Sequence, residues 1–313
     1  MKSRTQSCRN TLALGIILFL AGNPVVRADN VFVSDATDGT ILQFDSSGNE
    51  SIFASGLDQP TGLVFGNNGD LYVAEAGSGT ILQFSAGGHQ SVFASGLNNP
   101  TGLAVDGSGQ LYVANSGAGT ILQFSSSGNG SVFASGLASP GYLAVDNSGN
   151  LYASTPHNIL QFDSSGNGST IYSALNSVYG IAFDSAGALY ASLENVGSIV
   201  RLSGGVAANG IAFNDPLHTA PTGLAFGSGD NLYVAFGGVN GTYNPMGGDI
   251  EQYGPGATGS LFALGLSNPL YLTVQSAGGI GPIEFVPEPS IYAMAIAGIA
   301  VLIVRRTRHQ RQS

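Results

Sequence analysis

The chain reads as an all-β protein, a six-bladed β-propeller of four-stranded antiparallel blades. Three observations carry that expectation. A similar unit recurs from Val31, Leu71 and Leu111, with looser copies from Leu151, Leu189 and Leu232. Each copy holds four short apolar or alternating runs separated by turn residues, the pattern of a strand meander. No run of helical length and period interrupts them. A four-run unit repeating at about 40 residues is a propeller blade, whereas leucine-rich repeats are shorter and β-helices have no four-run unit.

In the copy that starts at Leu71, the runs are residues 71–74, 80–84, 91–94 and 102–105. Between them stand Gly77-Ser78-Gly79, Gly87-Gly88 and Gly107-Ser108-Gly109, where glycine adopts positive φ at little cost. Runs of the Pro-x-Gly-Leu type begin at Pro60, Pro100, Pro140, Val178, Pro221 and Pro269. The first Leu-Tyr-like run, at Val31, has no such run before it, and the run at Pro269 has no repeat after it. A C-terminal strand is therefore expected to complete the first blade, closing the ring and removing an open sheet edge.

Composition narrows the function classes. A single cysteine excludes a disulfide framework and a cysteine-based zinc site. An apolar content of 43% opposes intrinsic disorder. The formal charge of −10 combines 19 acids with 9 bases, and the bases sit at the ends. Lys2, Arg4, Arg9 and Arg27 precede the repeats, and Arg305, Arg306, Arg308 and Arg311 follow them. Residues 29–284 carry only Arg201 against eighteen acids, a charge of −17. Such a surface cannot neutralise phosphates, so nucleic acid is excluded as a partner.

The two ends read as addresses. Residues 1–28 combine a basic start, a short apolar run and small residues before Asp29, the pattern of a cleaved signal peptide. The propeller is expected over 29–280, followed by a linker, 281–290, that contains Pro287-Glu288-Pro289. An apolar transmembrane segment, 291–304, precedes a basic cytoplasmic tail, 305–313, that begins with Arg305-Arg306. This order resembles the PEP-CTERM sorting signal. The resemblance implies a Gram-negative cell, an exosortase-type partner and transient anchoring in the inner membrane. It further implies delivery to the cell surface or extracellular matrix, where such systems accompany exopolysaccharide.

The blades resemble NHL-repeat propellers and the related gluconolactonase and virginiamycin B lyase propellers. The residues that carry this are Pro-x-Gly-Leu-Ala-Val-Asp, Gly-x-Leu-Tyr-Val-Ala and Ile-Leu-Gln-Phe, best seen over 106–115. Thr40, Thr80 and Thr120 stand where NHL blades often carry Arg.

Candidate chemistry is sparse. Asp35, Glu75 and Asn115 follow the Leu-Tyr-like run in the first three blades. As oxygen donors they could hold Ca²⁺ or Mg²⁺, or each could cap its own hairpin turn. Asp45 and Asp163 open calcium-like turns that lack the bidentate Glu, and turn chemistry is expected there. His218 shares the divergent blades with Glu194 and Asn195 in sequence, and a His/Glu pair is what acid–base work would need, though no motif sets their geometry. Tyr243 and Asn244, in the insertion 239–248, suit stacking and hydrogen bonding to a sugar ring. The near-identity of the first three blades opposes a catalytic site built there. The leading expectation is a non-catalytic binding or matrix protein that meets extracellular polysaccharide or protein. The alternative is a divalent-metal-dependent propeller enzyme, a lactone hydrolase or a lyase.

Overall fold

Each short apolar run forms a strand, and the glycine-bearing segments between them form the turns. The computed structural model describes residues 29–173, 177–193, 197–203, 206–214, 220–237, 248–254 and 259–275. The expected signal peptide, linker, transmembrane segment and basic tail lie outside the described residues. Among the described residues no helix is long and apolar enough to cross a membrane.

In chain order the strands are β1 (Asn30–Asp35), β2 (Thr40–Phe44), β3 (Glu50–Ser55), β4 (Pro60–Phe65), β5 (Leu71–Glu75), β6 (Thr80–Phe84), β7 (Gln90–Ala94) and β8 (Pro100–Val105). Next come β9 (Leu111–Asn115), β10 (Thr120–Phe124), β11 (Gly130–Ser135), β12 (Leu143–Val145), β13 (Leu151–Ser154), β14 (Asn158–Phe162), β15 (Gly168–Ser173) and β16 (Val178–Phe183). The last are β17 (Leu189–Leu193), β18 (Ser198–Ser203), β19 (Val206–Asn214), β20 (Pro221–Phe226), β21 (Leu232–Phe236), β22 (Gly248–Tyr253), β23 (Gly259–Leu266) and β24 (Pro269–Gln275).

They form six four-stranded antiparallel sheets. Blade 1 has the order β24-β1-β2-β3, and blades 2 to 6 are the consecutive quartets from β4 to β23. The expected closure is present, since β24 pairs with β1 from Asn30 opposite Gln275 to Asp35 opposite Pro269. The structural blade is offset by one strand from the sequence unit: it begins with the proline-led run, which is the inner strand. Proline is tolerated there because it takes the first position of the strand. Adjacent inner strands (β24, β4, β8, β12, β16 and β20) touch all the way round the ring.

The core is divided into six layers, one between each pair of neighbouring blades. A β-bulge in the outer strands directs side chains into these layers. In blade 1, Ile41 pairs with Ala54 and Leu42 with Ile52, so Phe53 is the extra residue. It turns inward while Ile52 is left 64% exposed. Bulges re-aim side chains in this way. The same shift sets Phe93, Phe133 and Phe262. Each wedges between a ring of its own blade and one of the next. Phe93 meets Tyr72 at 5.0 Å and Phe124 at 5.8 Å between centroids, both edge-on. Phe53 similarly joins Phe32 to Phe84, Phe133 joins Tyr112 to Phe162, and Phe262 joins Tyr233 to Phe44.

Candidate functional site

The places where a propeller can hold a ligand are its central channel and the loop faces around it, and the inner strands define both. The Pro-Thr-Gly motif that opens β4, β8 and β20 explains how tightly those strands approach. A Cβ added to Gly62 would overlap the Thr101 carbonyl oxygen, and one on Gly102 would overlap that of Gly141. Gly180 and Gly223 face the Thr222 and Leu270 carbonyls in the same manner.

The preceding threonine links blades. The Thr61 hydroxyl lies 3.2 Å from the Ala74 carbonyl and 3.0 Å from that of Pro100 in the next blade. Thr222 lies at 3.0 and 3.1 Å from the carbonyls of Ala235 and Pro269, and Thr101 reaches those of Ala114 and Pro140. Blades 1, 4 and 5 lack this threonine, and each carries a serine on the second strand where the others have alanine. Ser192 donates to the Thr222 carbonyl at 3.0 Å, Ser154 accepts the Tyr142 amide at 2.9 Å, and Ser34 accepts the Tyr271 amide at 3.3 Å. Every blade therefore has one buried or half-buried hydroxyl at this level, supplied by one strand or its neighbour.

Blades 1 and 4 also replace the glycine, by Tyr271 and Tyr142. These blades face each other across the ring, and the two side chains cross its centre. Their rings stack at 3.9 Å with an interplanar angle of 15°. The Tyr142 hydroxyl donates to the Leu270 carbonyl. Burial raises the Tyr142 phenol well above its ordinary value, and Tyr271 and Tyr179 add to the effect. Tyr271 is likewise raised by burial, against a lowering hydrogen bond with Thr101 and with a further rise from Tyr179. The channel is thus closed at this level by an aromatic, uncharged plug. Nothing in the repeated motifs singles these residues out. The visible signal is the departure from the motif, Gly141-Tyr142 and Leu270-Tyr271 in place of Thr-Gly.

Asp35, Glu75 and Asn115 are buried at the ends of β1, β5 and β9. Asp35 Oδ1 accepts the Thr37 and Asp38 amides at 3.1 and 3.2 Å, and Oδ2 accepts those of Ser267 and Asn268 at 2.9 and 3.1 Å. Glu75 Oε1 accepts the Asp58 amide at 3.0 Å, while Ser78 and Thr80 donate to Oε2. Asn115 Oδ1 accepts the Asn98 amide at 2.7 Å. These are the bonds of caps, extended to the loop that enters each blade. Among the described residues no group of three His, Cys, Asp or Glu side chains is placed to hold a metal ion.

Asp45 makes a turn cap: Oδ1 accepts the Ser47 and Asn49 amides at 2.8 and 2.9 Å, and Asp163 repeats the pattern with Ser165 and Asn167. The Asn49 and Asn167 side chains hold the two carboxyls below their ordinary value. His89 and His157 are exposed in turns. Glu194, Asn195, His218, Tyr243 and Asn244 lie outside the described residues, as do Pro287, Glu288, Pro289, Arg305 and Arg306. The first five fall in the stretches linking β17 to β18, β19 to β20 and β21 to β22.

Blade 3 is the part that a known family model recognises. Residues 97–124 match the NHL repeat. No curated protein matches the chain in sequence. Among solved structures it is similar to a streptogramin B lyase, with a TM-score of 0.60 and 16% identity over 80% of this chain and 88% of the other. A virginiamycin B lyase from Staphylococcus aureus gives 0.58 and 14%, covering 74% and 80%. A protein provisionally identified as a gluconolactonase gives 0.58 and 15%, covering 70% and 82%. At such identities the shared property is the six-bladed fold.

Proposed function

We propose that this protein is an exported, surface-sorted propeller that acts by binding, as a non-catalytic component of an exopolysaccharide-associated matrix. One observation carries the reading: the Tyr142–Tyr271 stack crosses the channel, and Asp35 and Glu75 spend their carboxylates on loop amides. The ring then serves as a rigid display surface. The order of Pro-Glu-Pro motif, apolar segment and arginines in residues 286–308 supports handling by an exosortase-type enzyme after transient inner-membrane anchoring. A mature ring of charge −17 repels polyanions, so an acidic polysaccharide would be held through bridging Ca²⁺ or Mg²⁺.

Mass spectrometry of the protein recovered from culture should show loss of residues 1–28 and of the arginine tail. A polysaccharide array should show retention that chelator abolishes for acidic polymers. A flat array, or full retention of both termini, overturns the proposal. The second reading, a metal-dependent lactonase or lyase, is favoured by the fold shared with such proteins. It requires divalent-metal-dependent turnover of a lactone or streptogramin that is lost in Glu194→Gln or His218→Ala.

A further inference from the structure

The interface between blades 4 and 5 departs from the aromatic wedge of four others. In four interfaces a bulged phenylalanine fills the space between rings of adjacent blades. In blade 4 the same bulge, with Ile159 opposite Tyr172 and Leu160 opposite Thr170, presents Ile171 instead. On blade 5 the ring that should receive it, the counterpart of Phe84, Phe124 and Phe162, is Leu202. Two phenyl rings are replaced by two smaller aliphatic groups at one place. A cleft of about 480 Å³ opens there, lined by Tyr152, Gln161, Thr170, Ile171, Leu189 and Leu202 among others. Its volume lies in the range of ligand pockets.

We infer that this cleft is a binding site for a single aromatic ring carrying an ammonium group, an arylalkylamine. The repeat itself displays the occupant, because a phenyl ring from this chain fills the equivalent space in four other interfaces. Tyr152 presents the same ring that Tyr72 and Tyr112 offer to their wedges, and it already receives Phe183 edge-on at 5.0 Å. Leu189 and Leu202 make an apolar floor, each 4% exposed. The mouth is polar and acidic. Gln161 Nε2 donates to the Tyr152 hydroxyl at 2.8 Å, which in turn donates to Asp146 Oδ2 at 3.2 Å. Asp184, which follows Phe183, is spent elsewhere: it accepts the Ala188 amide at 2.7 Å and faces the Tyr190 hydroxyl. Arg201, beside Leu202 in sequence, points to the opposite face of its sheet, over the Tyr190 ring at 6.0 Å. The Asp146 carboxylate, which the cleft reaches through the Tyr152 hydroxyl, favours a cation over an anion. The site lies between two neighbouring blades, and it does not depend on the matrix reading.

Calorimetric titration of the purified full-length protein with phenethylammonium should give saturable one-to-one binding. Phenylacetate, of opposite charge, and cyclohexylethylammonium, without the aromatic ring, should each bind at least about tenfold more weakly. Restoring the wedge in Ile171→Phe/Leu202→Phe should abolish binding and raise the melting temperature. Should that variant not fold, methyl shift mapping on the native protein decides: phenethylammonium should perturb Ile171, Leu189 and Leu202 selectively. No saturable binding, binding unchanged in the filled variant, equal affinity for phenylacetate, or shifts centred elsewhere would each overturn the assignment.

Discussion

Blades 2 and 3 and blades 4 and 5 share one four-strand plan and differ in what fills the space between them. Between blades 2 and 3 a three-ring column, Tyr72–Phe93–Phe124, occupies the layer, and a threonine and a glycine join the inner strands. Between blades 4 and 5 the column is reduced to Tyr152 and Phe183, the threonine is absent and Tyr142 replaces the glycine. The repeated blades have committed their rings and polar atoms to one another. Free volume and unusual residue types occur where the repeat decays. In a ring of near-copies, the departures from the repeat are therefore where function is to be sought.

The largest effect expected from disturbing this contrast is at the inner strands. Gly62→Ala or Gly102→Ala would force a Cβ against a backbone carbonyl that cannot swing away. We expect a loss of about 3 kcal/mol in urea denaturation, from the strain of separating two blades. An unchanged midpoint would mean that the inner strands are not in contact as described.

Next comes the tyrosine plug. Because the Tyr142 and Tyr271 phenols have raised pKa values in the folded ring, their contribution is intact below about pH 10, where the unfolded phenol begins to ionise. Above it the unfolded state loses protons that the folded state keeps, and stability falls by about 1.4 kcal/mol per pH unit for each phenol. Melting temperatures from pH 9 to 12 should decline steeply, and Tyr142→Phe should flatten the decline. A flat alkaline profile in the native protein would contradict the buried stack.

Transplanting the blade 4–5 pattern into blades 2–3 tests the wedge directly. Phe93→Ile with Phe124→Leu should cost about 2–3 kcal/mol, the transfer of the lost ring atoms plus the cavity they leave. The proposed ligand chemistry adds a second readout, since the new vacancy should accept phenethylammonium. Stability unchanged within error would show that the column contributes nothing beyond what aliphatic side chains supply.

The hydroxyl exchange is smaller. Thr61→Val removes a donor shared between the Ala74 and Pro100 carbonyls, both in a buried setting, at an expected cost of about 1 kcal/mol. If the alternation of threonine and serine among the blades is compensation, Ala74→Ser in the Thr61→Val background should recover part of the loss. Additive losses in the double-mutant cycle would dispose of the idea.

How far the sequence foretold these contacts depends on whether they repeat. The strands, the glycine turns at Gly79, Gly88 and Gly109, and the closure by β24 were legible because each recurs at a fixed offset or is left over from the count. The column of rings was not legible, because a bulge, not strict alternation, aims Phe53 and Phe93 inward. Tyr142 and Tyr271 are 129 positions apart in the chain and meet only because their blades are opposite, which no local pattern encodes. Asp35 and Glu75 read as ligands or as caps, since the amides they accept come from loops whose approach is set by the ring.

The smallest expected effect separates the exposed turns. Asp45 and Asp163 cap the β2–β3 and β14–β15 turns in blades 1 and 4, where blades 2 and 3 have Ser85 and Ser125 in the same place. The carboxylates accept two backbone amides each, and the lowered pKa means that their contribution exists above the unfolded value near 3.8 and is lost as pH falls through the folded one. Both groups are fully open to solvent, so the contribution is small and screened by salt. Replacing Asp45 by Ser, the residue the sister blades use, should therefore shift the melting temperature by a degree or less at pH 7. That difference should fade as the carboxyl protonates in acid, whereas a larger shift persisting there would mean that Asp45 supports the blade through something other than its turn.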